Sequence, residues 1–123
     1  MTEIFGYDFD GVISIGINPS SKDDYIITGR CIDETEEVFT ILKSRGITNK
    51  VFFNPLTLAQ RGNHTVASRT TGANHKANTI ASLKKEGINV VRFFEDDELQ
   101  RDIIQAAHPE IKIVHIVSDL VQK

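Results

Sequence analysis

The stretch EIFGYDFDGV, residues 3–12, joins an apolar segment to an acidic turn. Its first part, residues 3–9, predicts a short buried strand, because apolar and aromatic side chains dominate it. The turn places Asp8 and Asp10 on either side of Phe9, directly before a glycine. A single aspartate at such a junction is usually a turn former, but a pair that flanks a phenylalanine is less often so. We therefore expect the first strand to carry two carboxylates at its carboxyl end.

Strands and helices alternate along the rest of the chain. Further strands are predicted at residues 25–27, 51–53, 88–94 and 111–117. Helices are predicted between the cap Asp33 and Gly46, over about residues 75–86 and around residues 99–107, whereas residues 57–72 lack apolar periodicity and predict a loop. Short links between alternating strands and helices are typical of a parallel sheet covered on both faces. We expect an α/β fold, a single-domain Rossmann-like parallel sheet of about five strands flanked by helices.

The length and composition limit the class of protein. A chain of 123 residues is long enough for one core and too short for two, so residues 1–123 are expected to form one domain. No apolar run approaches the length of a membrane span, and no basic, then apolar leader opens the chain. The single Cys31 cannot form an internal disulfide, and the scattered histidines give no zinc-site spacing. These features predict a cytoplasmic protein without membrane contact.

The residues at the predicted strand ends are mainly acids. They are Asp8, Asp10, Thr28, Asn54, Glu95, Asp96 and Asp97. Ligands of open parallel sheets bind beyond the carboxyl ends of the strands, so these side chains are expected to converge. Clustered carboxylates raise each other's pKa values unless a cation neutralises them. Hard oxygen ligands without a thiolate or an imidazole set favour Mg²⁺, and we therefore predict a magnesium site.

Such a site supports phosphoryl chemistry. A carboxylate beside Mg²⁺ can attack phosphorus and form an aspartyl-phosphate. A second carboxylate two residues later can protonate the leaving oxygen and then activate water. Thr28, the backbone amides of the turn after Asp8 and a nearby lysine can stabilise the developing negative charge. The residues thus indicate a metal-dependent phosphohydrolase, and they leave open whether the acceptor is water or another group.

Four segments, in order, resemble the motifs of the haloacid dehalogenase-like (HAD) superfamily. YDFDGVIS at residues 7–14 is similar to the first motif, and YIITGR at residues 25–30 is similar to the second. Lys76 sits where the third motif has its lysine, and FFEDD at residues 93–97 resembles the fourth motif. The resemblance covers about residues 4–97, and the last strand extends it to about residue 117. It implies a capless, Mg²⁺-dependent phosphatase.

The resemblance also implies roles for individual residues. Asp8 would be the nucleophile and a metal ligand. Asp10 would be the general acid and base, with its backbone carbonyl also on the metal. The hydroxyl of Thr28 would hydrogen-bond the transferring phosphoryl group. Lys76, expected to open the second helix, would offset the charge of the nucleophile and the phosphate.

The fourth motif departs from the family pattern. It contains Glu95-Asp96-Asp97 where a Gly-Asp or Asp-Asp pair is commoner. Asp96 is the first choice as the direct metal ligand, and Asp97 is the second. Both acids also lie where a helix cap is expected, which is compatible with metal binding. Which acid of this triplet contacts the metal directly stays open.

Charge and loop length bear on the substrate. Residues 43–85 contain eight Lys or Arg residues and no acid, which indicates a face that meets an anion or simply an uneven surface charge. The segments where the family inserts caps, residues 16–25 and 56–73, are too short to fold separately. An open site accepts a phosphate on a large molecule, so we predict a nucleotide or a nucleic-acid end as the phosphorylated substrate. The residues assigned to substrate binding are Gly11, Gly29, Arg30, Arg61, His64 and Arg69.

Two other functions fit the sequence less well. A receiver-like phospho-switch has a similar length and sheet, but its phosphorylated aspartate ends the third strand, where this chain has Asn54. A catalytically inactive HAD-like scaffold could bind a partner through the basic stretch, yet it would need neither Asp8 nor Asp10. Both stay as alternatives to the phosphohydrolase.

Overall fold

A computed structural model of the protein describes residues 2–62 and 65–117. Five parallel strands form one sheet. The strands are β1 (Thr2–Tyr7), β2 (Tyr25–Cys31), β3 (Val51–Asn54), β4 (Ile88–Glu95) and β5 (Lys112–His115). Their order across the sheet is β3-β2-β1-β4-β5, as in Rossmann-type sheets. The structure therefore confirms the α/β fold and its parallel sheet.

Helices cover both faces of the sheet. They are α1 (Thr35–Ser44), α2 (Leu58–Arg61), α3 (Val66–Lys85) and α4 (Glu98–Ala107), with 3₁₀ turns at Ile13–Ile15 and Ile32–Glu34. On one face, Ile80 of α3 and Ile104 of α4 join Phe93 of β4 in a buried cluster. On the other face, Val38 and Leu42 of α1 belong to a second buried cluster. No helix in the described ranges is long and apolar enough to span a bilayer.

The sheet changes its direction of winding beside β1. The chain adds β2 and β3 on one side of β1 and then crosses back through α3 to place β4 on the other side. β1 and β4 pair in parallel from Thr2 opposite Ile88 to Tyr7 opposite Phe94. Ligands of open α/β sheets bind beyond the strand ends at such a switch point. A ligand site is therefore expected at the carboxyl ends of β1 and β4.

The start of the second predicted helix was wrong. α3 begins at Val66 rather than near His75, and most of the loop predicted at residues 57–72 is helical. The hydroxyl of Thr65 caps α3 by accepting a hydrogen bond from a main-chain N–H three residues later. The residues buried in its first turns are small, namely Ser68, Gly72 and Ala73. Without large apolar side chains, these turns show no helical periodicity in the sequence.

The second predicted strand was too short. β2 runs on to Cys31, so Thr28 and Gly29 lie within the strand and not beyond it. The predicted cap Asp33 does not cap α1, because its carboxylate accepts the main-chain N–H of Leu58 instead. This hydrogen bond ties the segment after β2 to the start of α2.

Candidate functional site

Three carboxylates meet at the carboxyl ends of β1 and β4. Asp8 directly follows β1, Glu95 is the last residue of β4, and Asp96 follows it. Each offers an oxygen, and the three oxygens lie within 4.8 Å of one another. The main chain fixes this arrangement, because the N–H of Asp8 donates to the carbonyl of Phe94 at 3.0 Å. The sheet itself thus brings the predicted nucleophile and the first-choice metal ligand together at the switch point.

Lys76 supplies the positive charge of this acidic cluster of Asp8, Glu95 and Asp96. Its ammonium Nζ lies 2.7 Å from Oε1 of Glu95 and 3.2 Å from Oδ1 of Asp8. The prediction that Lys76 opens a helix was wrong, because it lies in the middle of α3. Its long side chain nevertheless reaches the strand ends. One ammonium against three carboxylates leaves excess negative charge in a buried place, which favours a proton or a metal cation.

Burial and repulsion raise the proton affinity of the cluster. Burial is the main cause that raises the pKa of Asp8 well above its usual range, and the neighbouring Glu95 adds to it. Burial and Glu95 likewise raise the pKa of Asp96 to about 6. Burial alone would lower the pKa of Lys76, but the carboxylates of Asp8 and Glu95 outweigh it and raise that pKa. Lys76 therefore stays a cation, and Asp8 and Asp96 are the acids whose proton affinity the fold raises.

The sequence favours Asp96 and then Asp97 as the metal ligand of this triplet. The structure instead brings Glu95, and not Asp97, into the cluster with Asp96. The signal for Glu95 was the two-residue period of β4, which buries Phe93 and Glu95 on the same side. Asp97 instead caps α4, accepting the N–H groups of Leu99 and Gln100. Of the two roles predicted for Asp97, helix capping and metal binding, the structure shows helix capping.

Asp97 also forms an ion pair with Arg69. The guanidinium places Nη2 2.7 Å from Oδ1 and Nε 2.8 Å from Oδ2 of Asp97. Burial would raise the pKa of Asp97, but the contact with Arg69 outweighs it and lowers that pKa. Arg69, predicted to contact the substrate, is thus already engaged by a carboxylate.

Asp10 lies in the predicted turn, but its carboxylate points to Arg30. Nε of Arg30 lies 2.8 Å from Oδ2 of Asp10, and Nη2 lies 2.9 Å from Oδ1. Arg30 also binds Glu34 at 2.9 Å. Asp10 thus follows Asp8 closely in the sequence, but its side chain forms an ion pair that is separate from the acidic cluster. Proton transfer by Asp10 requires this pair to open, because the guanidinium of Arg30 occupies both carboxylate oxygens.

Thr28 and Gly29, also predicted at the end of β2, lie beside α3, with Thr28 buried and Gly29 half-buried. Thr28 is fully buried, and its hydroxyl oxygen accepts the N–H of Arg30 at 3.0 Å. A Cβ on Gly29 would lie only 3.7 Å from Cα of Gly72, so the strand and α3 approach closely here. The role of Thr28 in binding a phosphoryl group stays a prediction, because its hydroxyl contacts the main chain of its own strand.

Within the described part of the chain, three of the eight basic residues in the acid-free stretch at residues 43–85 are paired with carboxylates of the protein itself. Lys76 is buried in the acidic cluster, and Arg69 pairs with Asp97. Arg61 donates to the carbonyl of Gly29 at 3.0 Å and lies 3.6 Å from Glu34. His64, also predicted to contact the substrate, lies outside the described residues. Arg61 and Arg69 thus already have partners within the protein, and anion binding by this stretch stays a prediction.

Gly11 lies against the acidic cluster. Its φ is +78°, which a side chain disfavours, and a Cβ there would overlap the carboxyl group of Asp96. Its N–H donates to the hydroxyl of Ser14 at 2.9 Å. Gly11 is thus required by the turn and by the position of Asp96, which gives a structural reason for the glycine that was assigned to substrate binding.

The arrangement as a whole is a buried cluster of three acids and one lysine at the switch point of a parallel sheet. Oxygen-only ligands of this kind suit a hard divalent cation such as Mg²⁺. A carboxylate next to such a cation and a fixed ammonium can act on a phosphate ester. Comparison of the chain with protein-family models, with curated proteins and with solved structures gave no match.

Proposed function

We propose that the protein is a Mg²⁺-dependent phosphohydrolase of the HAD type that acts through an aspartyl-phosphate on Asp8. The observation that carries the proposal is the acidic cluster, whose three oxygens lie within 4.8 Å with Lys76 bonded to two of the acids. The cluster lies at the sheet edge where the motif resemblance requires it. A free, buried thiol at Cys31 fits the cytoplasmic location that we also propose.

Asp8 and Asp96 would hold the metal, with the main-chain carbonyl of Asp10 as a further ligand by the resemblance. Glu95 is bonded to Lys76 and adds negative charge behind them. Bound Mg²⁺ would supply charge neutralisation for the phosphate and its transition state. This donor set consists of oxygen atoms alone, as Mg²⁺ prefers.

The nucleophilic step follows from how Asp8 is held. Its Oδ1 accepts the N–H of Phe9 at 2.8 Å and contacts Lys76, which fixes the carboxylate plane. We therefore assign the attack on phosphorus to Oδ2. The new O–P bond forms as the bond to the leaving oxygen breaks. Asp10, released from its pair with Arg30 and carrying a proton, donates that proton to the leaving oxygen. Asp10 then takes a proton from water, which attacks phosphorus, releases inorganic phosphate and restores the Asp8 carboxylate.

The strand order separates this proposal from the receiver-like alternative. In flavodoxin-like sheets, the order found in receiver domains, the first strand lies between the second and the third. Here β1 lies between β2 and β4. The residue that ends β3 is Asn54, which cannot accept a phosphoryl group as an aspartate does. Both observations favour the phosphohydrolase.

Release of inorganic phosphate tests the proposal. We would assay p-nitrophenyl phosphate, nucleoside monophosphates and oligonucleotides with a 3′- or 5′-phosphate, each with Mg²⁺ and with EDTA. We expect release with Mg²⁺ and none with EDTA. If no substrate releases phosphate from a folded protein, the inactive scaffold becomes the better interpretation. Transfer of phosphate to an added alcohol would identify a phosphotransferase.

The Gly11→Ala variant is expected to bind Mg²⁺ about tenfold more weakly or worse, because the added methyl group displaces Asp96. Gly16→Ala is the matched control, since Gly16 also has a positive φ, +111°, but open space around its Cβ position. Both variants should lose about 1–2 kcal/mol of stability to backbone strain. Calorimetric titration with Mg²⁺ measures the difference. Equal affinities of the two variants would rule out Asp96 as a ligand.

The metal-free protein is expected to lose stability as pH rises through the range in which Asp96 titrates. Folding raises the pKa of Asp96 from 3.8 to about 6 and also raises that of Asp8, so the folded state binds more protons than the unfolded chain. This stabilisation is complete below pH 3.8 and is lost as pH passes about 6. The loss amounts to about 1–3 kcal/mol.

Once Asp96 has lost its proton, bound Mg²⁺ should neutralise the carboxylates in place of that proton. We expect saturating Mg²⁺ to raise the Tm more at about pH 7.5 than at about pH 5, where protons compete with it. Thermal melts at both pH values, with Mg²⁺ and with EDTA, measure this. Asp96→Asn should show a flatter pH profile and a smaller effect of Mg²⁺. An equal gain in Tm at both pH values would contradict a metal held by these acids.

A further inference from the structure

A second concave site lies beside the edge strand β3, on a different side of α3 from Lys76. The cavity has a volume of about 420 Å³ and is bounded by β3, the segment after it and one flank of α3. This volume is within the range of pockets that hold small molecules, about 300–1,000 Å³. The acidic cluster contributes none of its lining residues. The cavity is therefore a site separate from the acidic cluster.

The lining combines apolar walls with neutral hydrogen-bonding groups. Phe52 and Leu56 are apolar, whereas Asn74 and Asn78 of α3 present amides that both donate and accept. Among the residues that the structure describes, no lysine or arginine lines it, and Glu86 contributes a carboxylate. A phosphate would therefore meet no cation there. A purely aliphatic ligand would leave the amides without partners.

His75 keeps the middle of the cavity neutral. Burial lowers the pKa of His75 and outweighs the hydrogen bonds to backbone carbonyls, which act in the opposite sense. Its Nε2 lies 3.4 Å from the carbonyl oxygen of Phe52. The imidazole thus adds a flat, uncharged surface at neutral pH. This surface suits a planar and uncharged ligand.

Asn54 gives the cavity a buried donor without a partner. The residue is 1% exposed, and its Oδ1 accepts the N–H of Leu56, which fixes the orientation of the amide. Its Nδ2 has no hydrogen-bond partner among the described residues. A buried donor left unpaired costs about 1–3 kcal/mol, which a ligand acceptor would recover. Asn54 lines the cavity, but its Nδ2 is itself covered by protein atoms, so a ligand acceptor would reach it only after a small movement of the wall.

We propose that this cavity binds the base of a nucleotide substrate. A nucleobase is planar and uncharged, has apolar faces for Phe52 and Leu56, and carries adjacent donors and acceptors on its edge for the asparagine amides. This assignment names the substrate class of the acidic cluster, and in that respect it rests on the proposed function. The link is short in sequence, because His75 of the cavity directly precedes Lys76 of the cluster on α3.

Binding of uncharged nucleosides tests the cavity without requiring catalysis. We would titrate adenosine, guanosine, cytidine and uridine into the wild-type protein in EDTA and follow amide shifts by NMR. We expect at least one to bind and to shift resonances of Asn74 and Asn78. Asn78→Leu should weaken that binding about tenfold or more, whereas Lys85→Leu, exposed on the same helix but outside the cavity, should not. Absence of binding by all four nucleosides would overturn the inference.

Kinetics then connect the cavity to the acidic cluster. The ratio of kcat/KM for the preferred nucleotide to that for p-nitrophenyl phosphate should fall about tenfold in Asn78→Leu and stay constant in Lys85→Leu. An unchanged ratio in Asn78→Leu would overturn the assignment. Nucleoside binding without phosphate release from any ester would refute the proposed function and support the cavity. Phosphate release without nucleoside binding would do the reverse.

Discussion

Phosphate release is expected to fall about a thousandfold or more when Asp8 is replaced by asparagine. The amide has nearly the same shape as the carboxylate but is a far weaker nucleophile. It also removes one of the charges that would hold Mg²⁺. Initial rates with p-nitrophenyl phosphate in saturating Mg²⁺ measure the loss.

Stability distinguishes this loss from misfolding. Asp8 and Glu95 repel each other, and Lys76 keeps its 2.7 Å contact with Glu95 when Asp8 becomes neutral. We therefore expect Asp8→Asn to be as stable as the wild type, or more stable, in urea unfolding at neutral pH in EDTA. Asp23→Asn, an exposed aspartate in the loop before β2, is the control and should keep full activity. Substantial activity in folded Asp8→Asn would exclude Asp8 as the nucleophile.

Lys76→Met is expected to lower the free energy of unfolding by about 3–5 kcal/mol at neutral pH. The methionine fills much of the space of the lysine side chain, so packing changes little. What disappears is the ammonium between Asp8 and Glu95, which leaves two buried carboxylates without a countercharge. Urea unfolding in EDTA, compared with the wild type, measures the effect.

The pH dependence identifies the cause of the destabilisation. Without Lys76, the pKa of Asp8 should rise further above its unfolded value, so the loss should shrink as pH falls and Asp8 takes up a proton. Adding Glu95→Gln to Lys76→Met should restore part of the stability. Lys84→Met, exposed on the same helix, should change it by less than about 0.5 kcal/mol. A loss independent of pH would indicate packing and not charge.

The sequence alone predicted those site residues whose position depends on a single strand or turn. Apolar runs ending in acids located Asp8 and Asp96, and parallel strands guarantee that such ends share one edge of the sheet. The alternation of strands and helices was likewise enough for the α/β fold. These features depend on local pattern, which a single sequence contains.

Features that depend on distant partners were not predictable in the same way. The ion pair of Asp10 with Arg30 joins residues 20 apart in sequence, and that of Arg69 with Asp97 joins residues 28 apart. Charge counting over residues 43–85 treated Arg69 as available to an anion, because it could not show which acid faces this arginine. The early start of α3 was hidden for another reason, since its sheet-facing residues there are small.

The pairing of β1 with β4 makes the proposed metal site a late product of folding. Thr2 to Tyr7 pair with a distant part of the chain, from Ile88 to Phe94, so closing this pair requires most of the polypeptide. Asp8 and Glu95 reach each other only when that closure is complete. Partly folded or partly synthesised chains therefore lack the cluster, and Mg²⁺ would stabilise only the completed sheet. Divalent cation in the medium should slow unfolding of the native protein while leaving early collapse of the chain unaffected.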